Sequence, residues 1–298
     1  MGANALIRFT ALEAISKTRV DDGKTVRIFI QDKTVIEDTG STVDLMKSIP
    51  AMQGVVGESN QFGAGQTTGT SSANLRGLGA ERTLVLFNGR RMATSPGSIY
   101  VDTNLIPSAA VGRVEVLKDG AAATYGSDAI GGVVNFITRK NFSGLEVSAD
   151  YRLVDGSDGD YTASLVYGWV GERSNILLTA GYQHRSELRS TERDWANQEY
   201  LVNPSGYSVL GQPGSFLPRN GATPTAGVQR DANCTPLGGF AGFAGTTPAC
   251  FFTYVPFDNV IEDENRYQIY GEFNVDLADN LQFHAEALYA KTDIPNIL

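Results

Sequence analysis

The chain has 298 residues, an apolar share of 42%, and 33 acidic against 24 basic residues, for a formal charge of −9. That length suits one large or two ordinary domains, and the acidic balance lacks the electrostatic footprint of a nucleic-acid binder. No stretch reaches the run of about 18 uncharged apolar residues that a spanning helix needs, and the composition points neither to disorder nor to a helical membrane protein.

The opening segment, "MGANALIRFTALEAISKTRV", carries Arg8 and Glu13 inside its apolar patch and lacks a small-residue cleavage pattern, so it is a poor secretory signal. It reads as an amphipathic first helix or, the favoured reading, as a start left by truncation. Residues 1–25 are therefore set apart as an N-terminal extension. Residues 26–140 read as a small mixed α/β domain of short elements. "TVRIFI" (25–30) is strand-like. In "STVDLMKSIP", Ser41 or Thr42 caps a short helix that ends before Pro50. "TLVLFNGRRM" is two apolar runs joined by Asn88-Gly89, a strong hairpin signal. In "NLIPSAAVGRVEVL", Pro107 suits a first helical turn and Gly112 its end. Val114 and Val116 then alternate with Arg113 and Glu115 along a strand. "YGSDAIGG" follows, with Gly126, Gly131 and Gly132 free to turn sharply or lie against neighbouring backbone.

From residue 143 the period changes to two. Over 145–153, Leu145, Val147, Ala149, Tyr151 and Leu153 share one face, and Glu146, Ser148, Asp150 and Arg152 the other. The same alternation runs through 161–169, 175–183, 265–275 and 281–289. Segments of about 9–11 residues are the length that crosses an outer membrane when tilted. The connections "GERS" and "DLADN" are tight, whereas "VDGSDGD" and the segment 186–262 are longer, and such parity fits a barrel with short periplasmic turns and longer outer loops. Alternation alone would equally suit a soluble antiparallel sandwich. What favours the membrane is a face of aliphatic and aromatic residues in every strand, with tyrosines or a tryptophan near the ends, where aromatic girdles sit.

The long connection 186–262 is rich in proline and glycine and holds the only cysteines, Cys234 and Cys250. A linker of this length is unusual in a compact domain unless it is functional. Trp195, Tyr207, Phe216, Phe240, Phe243, Phe251, Phe252 and Tyr254 are candidates to line a ligand vestibule; the alternative is a self-contained surface loop stapled by the two cysteines. A local disulfide fits an oxidising compartment. As a metal site the pair is weak, because a structural site needs two more ligands and none is obvious nearby.

"STVDLMKSIPAMQGV", "ANLRGLGAERTLVLFNGRRM" and "AVGRVEVLKDGAAATYGSDAIGGVVNFITRKNFSGLEV" resemble the plug domain of TonB-dependent outer-membrane receptors, over roughly residues 35–150. The resemblance implies an α+β plug domain (26–140) followed by a partial, incomplete antiparallel transmembrane β-barrel (141–298) of about five strands, in a family whose barrels have about 22. It implies a ligand-gated uptake receptor of the bacterial outer membrane, with TonB and its inner-membrane energising complex, outer-membrane lipid and an extracellular ligand as partners. That ligand would be a ferric siderophore, cobalamin, haem, an oligosaccharide or another large nutrient. By resemblance, Arg76, Arg113 and Glu115 bridge plug and barrel, the arginines meeting wall glutamates further along the chain. The short apolar box that contacts TonB is not evident, because "TVRIFI" sits where the plug's first strand belongs. The absence of a terminal aromatic after "KTDIPNIL" and of a signal peptide leads us to expect a fragment of a longer receptor.

An enzyme finds little support. "RGLGAER" lacks the last glycine of a dinucleotide fingerprint and precedes a strand rather than following one. The only histidines, His184 and His284, fall at opposite ends of their strands. No cofactor is implied. The competing reading is a soluble β-rich binding or adhesion module that uses the aromatic loop 186–262.

Overall fold

The computed structural model describes residues 7–11, 26–30, 33–37, 42–47, 49, 51–53, 69–94, 99–118 and 121–295. The chain divides into two compact units: residues up to Glu187 together with those from Ile261 on, and the intervening Leu188–Val260. Ser41, Pro50 and most of the N-terminal extension lie outside the described residues.

The first unit holds two sheets. In the first sheet the spatial order is Lys33–Glu37, Val26–Ile30, Val111–Leu117, Gly132–Thr138, Thr83–Phe87, Arg90–Arg91. Parallel and antiparallel pairs mix within it. Each strand follows from its sequence: in Thr83–Phe87 a threonine leads into the apolar run Leu84–Phe87, buried throughout, as a strand covered on both faces must be. Val114 and Val116 are buried while Arg113 and Glu115 on the opposite face are half-exposed. Asn88 (φ 50°) and Gly89 (φ 77°) both take positive φ and close the hairpin onto Arg90, as a type I′ turn requires. The short helix Thr42–Lys47 sends Leu45 and Met46 into the core with Ile49, Leu75, Phe87, Ile106, Val114 and Phe136.

One sequence expectation is corrected here and another narrowed, since Ser41, the other candidate cap, lies outside the described residues. Thr42 is the first helical residue, and its hydroxyl donates to the Ile106 carbonyl at 3.1 Å, so it ties the helix to a neighbouring segment rather than capping it. The turn after Pro107 is a single 3₁₀ turn over Ser108–Ala110, and Gly112 lies inside the following strand, at a register shift between Val111 and Arg113. A Cβ there would stand 3.0 Å from Arg139 Cα, so close backbone approach, and not a helix end, explains the glycine.

The second sheet is formed by Gly144–Arg152, Asp160–Val170, Ser174–Arg185, Glu264–Ala278 and Leu281–Asp293, all antiparallel to their neighbours and in chain order. These five are called the first to fifth wall strands below, and they lie where the alternation placed them. A further strand, Ile7–Ala11, pairs antiparallel with the first, so the opening segment is extended rather than an amphipathic helix over those residues. The turns joining the second wall strand to the third and the fourth to the fifth are tight, and the two longer connections leave from the other end.

The wall sheet is apolar on its exposed face. Leu145, Val147, Tyr151, Tyr161, Leu165, Tyr167, Trp169, Leu178, Ile269, Phe273, Phe283 and Tyr289 are all exposed, whereas Glu146, Thr162, Ser164, Thr179, Gln268, Glu272 and Glu286 on the other face are buried or half-buried. A water-soluble sandwich has the opposite arrangement. Tyr161 and Trp169, at either end of the second wall strand's exposed face, are about 27 Å apart at about 3.4 Å per residue, which a tilt of about 40° reduces to about 20 Å, close to the height of an outer-membrane apolar band. At the Tyr161 end, Tyr182 lies 5.8 Å from Tyr161 and 5.1 Å from Tyr267, ring centre to ring centre.

The second unit is stitched from short pieces: Tyr207–Ser208 and Phe240–Ala244 flank Thr247–Thr253, and two-residue pairings join Ser215–Phe216 to Gln229–Arg230 and Arg219–Asn220 to Thr223–Pro224.

Candidate functional site

The inner face of the wall strands meets the α/β domain in a seam of polar contacts. Polar inner residues arise from the period-two alternation, which puts one side of each strand away from the apolar face. Gln268 on the fourth wall strand donates from Nε2 to the carbonyls of Asn104 (2.6 Å) and Ile106 (3.0 Å). Further along the same strand, Tyr270 is buried with its ring edge-on to Phe87 at 5.3 Å. Its hydroxyl donates to Glu272 Oε2 at 2.9 Å and accepts from Asn88 Nδ2 at 3.1 Å. Asn88 Nδ2 also donates to Glu286 Oε2 (3.2 Å), Arg90 Nη1 pairs with Glu286 Oε1 (2.7 Å), and Thr138 Oγ1 donates to Glu272 Oε2 (2.8 Å). On the first wall strand, Glu146 pairs with Arg139 at 3.0 Å, whose guanidinium lies 5.6 Å from the Phe142 ring centre.

A second polar layer sits toward the end that bears the long connections. Arg266, almost fully buried, pairs with buried Glu264, and Arg185 lies 3.7 Å from Asp160. Charges this deep in a soluble core would be costly; paired and facing a polar seam, they suit an inner barrel surface. Opposite them, Asp102 is buried in the α/β domain. Its Oδ1 accepts from the backbone N–H of Ser71 (3.0 Å) and of Asn104 (2.9 Å). Burial holds its carboxyl above the usual carboxylate range, against the opposing pull of those two N–H groups and of Arg266. Around it Ser71 Oγ donates to Asn104 Oδ1 at 2.8 Å, and Asn104 Nδ2 donates to the Gly69 carbonyl at 2.9 Å.

The residues expected to bridge the two parts are placed as follows. Arg113 Nε pairs with Glu115 Oε1 at 2.8 Å within the α/β domain, and Glu115 also accepts from Asn135 at 3.4 Å. Arg76 donates to the carbonyls of Ile130 (2.9 Å) and Gly131 (3.3 Å). Among the described residues these three are thus brought to partners in their own domain, and the first, fourth and fifth wall strands are met by Asn88, Arg90, Thr138, Arg139 and the carbonyls of Asn104 and Ile106. The hairpin signal at Asn88-Gly89 marked the turn but not its partner, because a wall carboxylate nearly 200 residues away leaves no local trace. Gly126 turns the chain at φ 87°, with open space where a side chain would be. At Gly131 a Cβ would stand 2.7 Å from the Arg82 carbonyl oxygen, and at Gly132 (φ 129°) 2.5 Å from that of Leu117.

In the second unit, Cys234 and Cys250 are joined in a disulfide with Cα atoms 5.8 Å apart, and both are buried. The candidate vestibule aromatics divide into three groups. Phe240, Phe251 and Tyr207 gather on Tyr200, a residue the sequence reading missed, with ring centres 4.1, 4.8 and 5.4 Å from it. Phe252 stacks edge-on to Tyr254 at 6.0 Å and lies 6.2 Å from Phe257. Trp195, Phe216 and Phe243 are exposed.

A sheet that is apolar outward and polar toward an α/β domain bonded to its inner face is the arrangement of a plugged outer-membrane β-barrel. Residues 24–133 match the family model described as TonB-dependent Receptor Plug Domain, and in this chain that segment is followed by the antiparallel wall strands. An iron-regulated outer membrane virulence protein of Vibrio cholerae serotype O1 is 32% identical over 185 residues, covering 54% of this chain and 26% of that protein. Among solved structures, a mutant ferric enterobactin receptor of Pseudomonas aeruginosa superposes with a TM-score of 0.48 at 20% identity, over 84% of this chain and 30% of that one. The siderophore receptor PiuA of Acinetobacter baumannii gives 0.39 at 14% identity, over 84% and 33%. The chain thus spans about a quarter of the length of the curated relative it matches.

Proposed function

We propose that this chain supplies the plug and first wall strands of a ligand-gated, TonB-energised uptake receptor, whose cargo is a siderophore or another large nutrient. The observation that carries the reading is the seam itself. The plug is held to the wall by hydrogen bonds and ion pairs at Gln268, Tyr270, Glu272 and Glu286, each worth about 1 kcal/mol net and breakable one at a time. An apolar interface of equal area would lock the plug permanently. The iron-regulated relative favours a ferric chelate as cargo. Arg76, Arg113 and Glu115 keep their proposed role as plug-to-wall contacts, the two arginines toward wall glutamates further along the chain, and the exposed Trp195, Phe216 and Phe243 keep theirs as ligand-facing residues of the outer loop. A soluble binding module is disfavoured by the exposed apolar face of every wall strand.

The test is uptake of radiolabelled ferric enterobactin, cobalamin, haem and an oligosaccharide by cells carrying the complete receptor. Accumulation of one of them that ceases when TonB is deleted or the proton gradient collapsed is expected. Accumulation indifferent to both, or of none of the four, would contradict the proposal.

A further inference from the structure

The plug hairpin at Asn88-Gly89 does more than reverse the chain. Asn88 Oδ1 accepts from the backbone N–H of Thr138 at 3.1 Å, so one end of its amide fastens the hairpin to its own sheet, while the Thr138 hydroxyl, also 3.1 Å from Oδ1, has a single proton that it directs to Glu272 at 2.8 Å. The other end points to the wall, where Nδ2 is shared between the Tyr270 hydroxyl and Glu286 Oε2. The amide thus spans the seam. Three further contacts surround it: Arg90 on Glu286, Thr138 on Glu272, and the Tyr270 hydroxyl on Glu272. Glu272 and Glu286 face each other in the register of the fourth and fifth wall strands, an unfavourable like-charge pair that is offset by the wall's own Asn274, which donates to Glu272, and His284 beside Glu286, together with the donors from the plug and Tyr270. The Tyr270 ring, with Val166 and Leu177 of the second and third wall strands, joins the buried apolar cluster that contains the plug core. At Tyr270, polar and apolar attachment meet.

From this we infer that the carboxylate clamp of Glu272 and Glu286, with Tyr270, anchors the Asn88-Gly89 hairpin and retains the plug in the wall, Asn88 being a positioning residue selected for its amide. Turn chemistry alone does not demand asparagine, since aspartate serves a type I′ turn equally. Aspartate, however, has no donor for Tyr270 or Glu286 and would add a third carboxylate to the pair. The inference rests on the receptor reading, but its test needs neither cargo nor TonB.

The complete receptor is expressed in an outer membrane otherwise tight to vancomycin, and entry of the antibiotic is read as growth inhibition. Membrane level and heat-modifiable gel mobility confirm that each variant folds. Asn88→Ala and Tyr270→Phe each remove their shared bond together with the other contacts of that side chain and are each expected to raise sensitivity at least about fivefold, and Asn88→Asp to raise it further. Combining Asn88→Ala with Tyr270→Phe adds less than the two singles multiplied, because the variants share one bond. Arg91→Ala is the control, since Arg91 pairs with Asp128 inside the plug at 2.6 Å, and it is expected to stay at wild-type sensitivity. Wild-type sensitivity in Asn88→Asp, or equal leakage in Arg91→Ala, would overturn the anchor. Failure of energised uptake with this leakage pattern intact would overturn the transport reading alone.

Discussion

At the scale of single residues, the plug shows how one position answers to two demands. Gly131 and Gly132 sit where backbone passes close to backbone, whereas Gly126 needs only its conformation. Gly132→Ala is accordingly expected to cost the plug more than Gly126→Ala, which pays only the strain of a region suited to glycine, about 1–3 kcal/mol. Denaturant melts of the two variants would check the order, and equal midpoints would contradict it. Asp102 offers a second test. Burial raises its folded carboxyl above the ordinary carboxylate value, so it favours the folded state most below that ordinary value, and this contribution is lost as pH rises through the raised folded value. Asp102→Asn keeps an oxygen for the Ser71 and Asn104 N–H groups and should flatten that acid-side dependence. Asp102→Ala leaves both N–H groups without their acceptor and should cost about 2 kcal/mol or more. A pH series of unfolding curves separates them.

At the scale of elements, the wall strands were legible because membrane and lumen impose opposite polarity on alternate residues, and that alternation survives in the sequence from Leu145 to Tyr289. The hairpin at Asn88-Gly89 was legible for a local reason, its turn chemistry. Gly112 was misread because a glycine after a helical turn and a glycine at a bulge look alike until the neighbouring strand is seen. The plug-to-wall contacts were not legible, since all but Arg139 with Glu146 pair residues far apart in the chain, and Asn, Thr or Gln on an inner face carries no mark of its partner. The short pairings of the second unit span too few residues to show a period. Two predictions belong here. Leu165→Arg, in the middle of the exposed face, should destabilise the receptor by about 2–4 kcal/mol, and Tyr161→Arg at its rim by about 0–1 kcal/mol, as read from unfolding in lipid vesicles. Cys250→Ser removes a cross-link between residues 16 apart and should cost the second unit about 3 kcal/mol, detected as faster proteolysis within 188–260 with the wall strands still protected.

At the scale of the molecule, the wall is two-sided, with an exposed apolar face and a polar face bonded to the plug, as the proposed uptake receptor requires. A receptor of this kind needs both, because a dry inner face would fuse the plug to its wall and a polar outer face would keep the strands out of the bilayer. The most direct measurement is a nitroxide scan along 161–167 in the complete receptor in lipid, comparing collision with oxygen, which concentrates in the bilayer, and with a water-soluble nickel chelate. Spin labels at Tyr161, Ala163, Leu165 and Tyr167 should meet oxygen, and those at Thr162, Ser164 and Val166 should be shielded from it. A flat profile, or one with the two sets exchanged, would contradict the account.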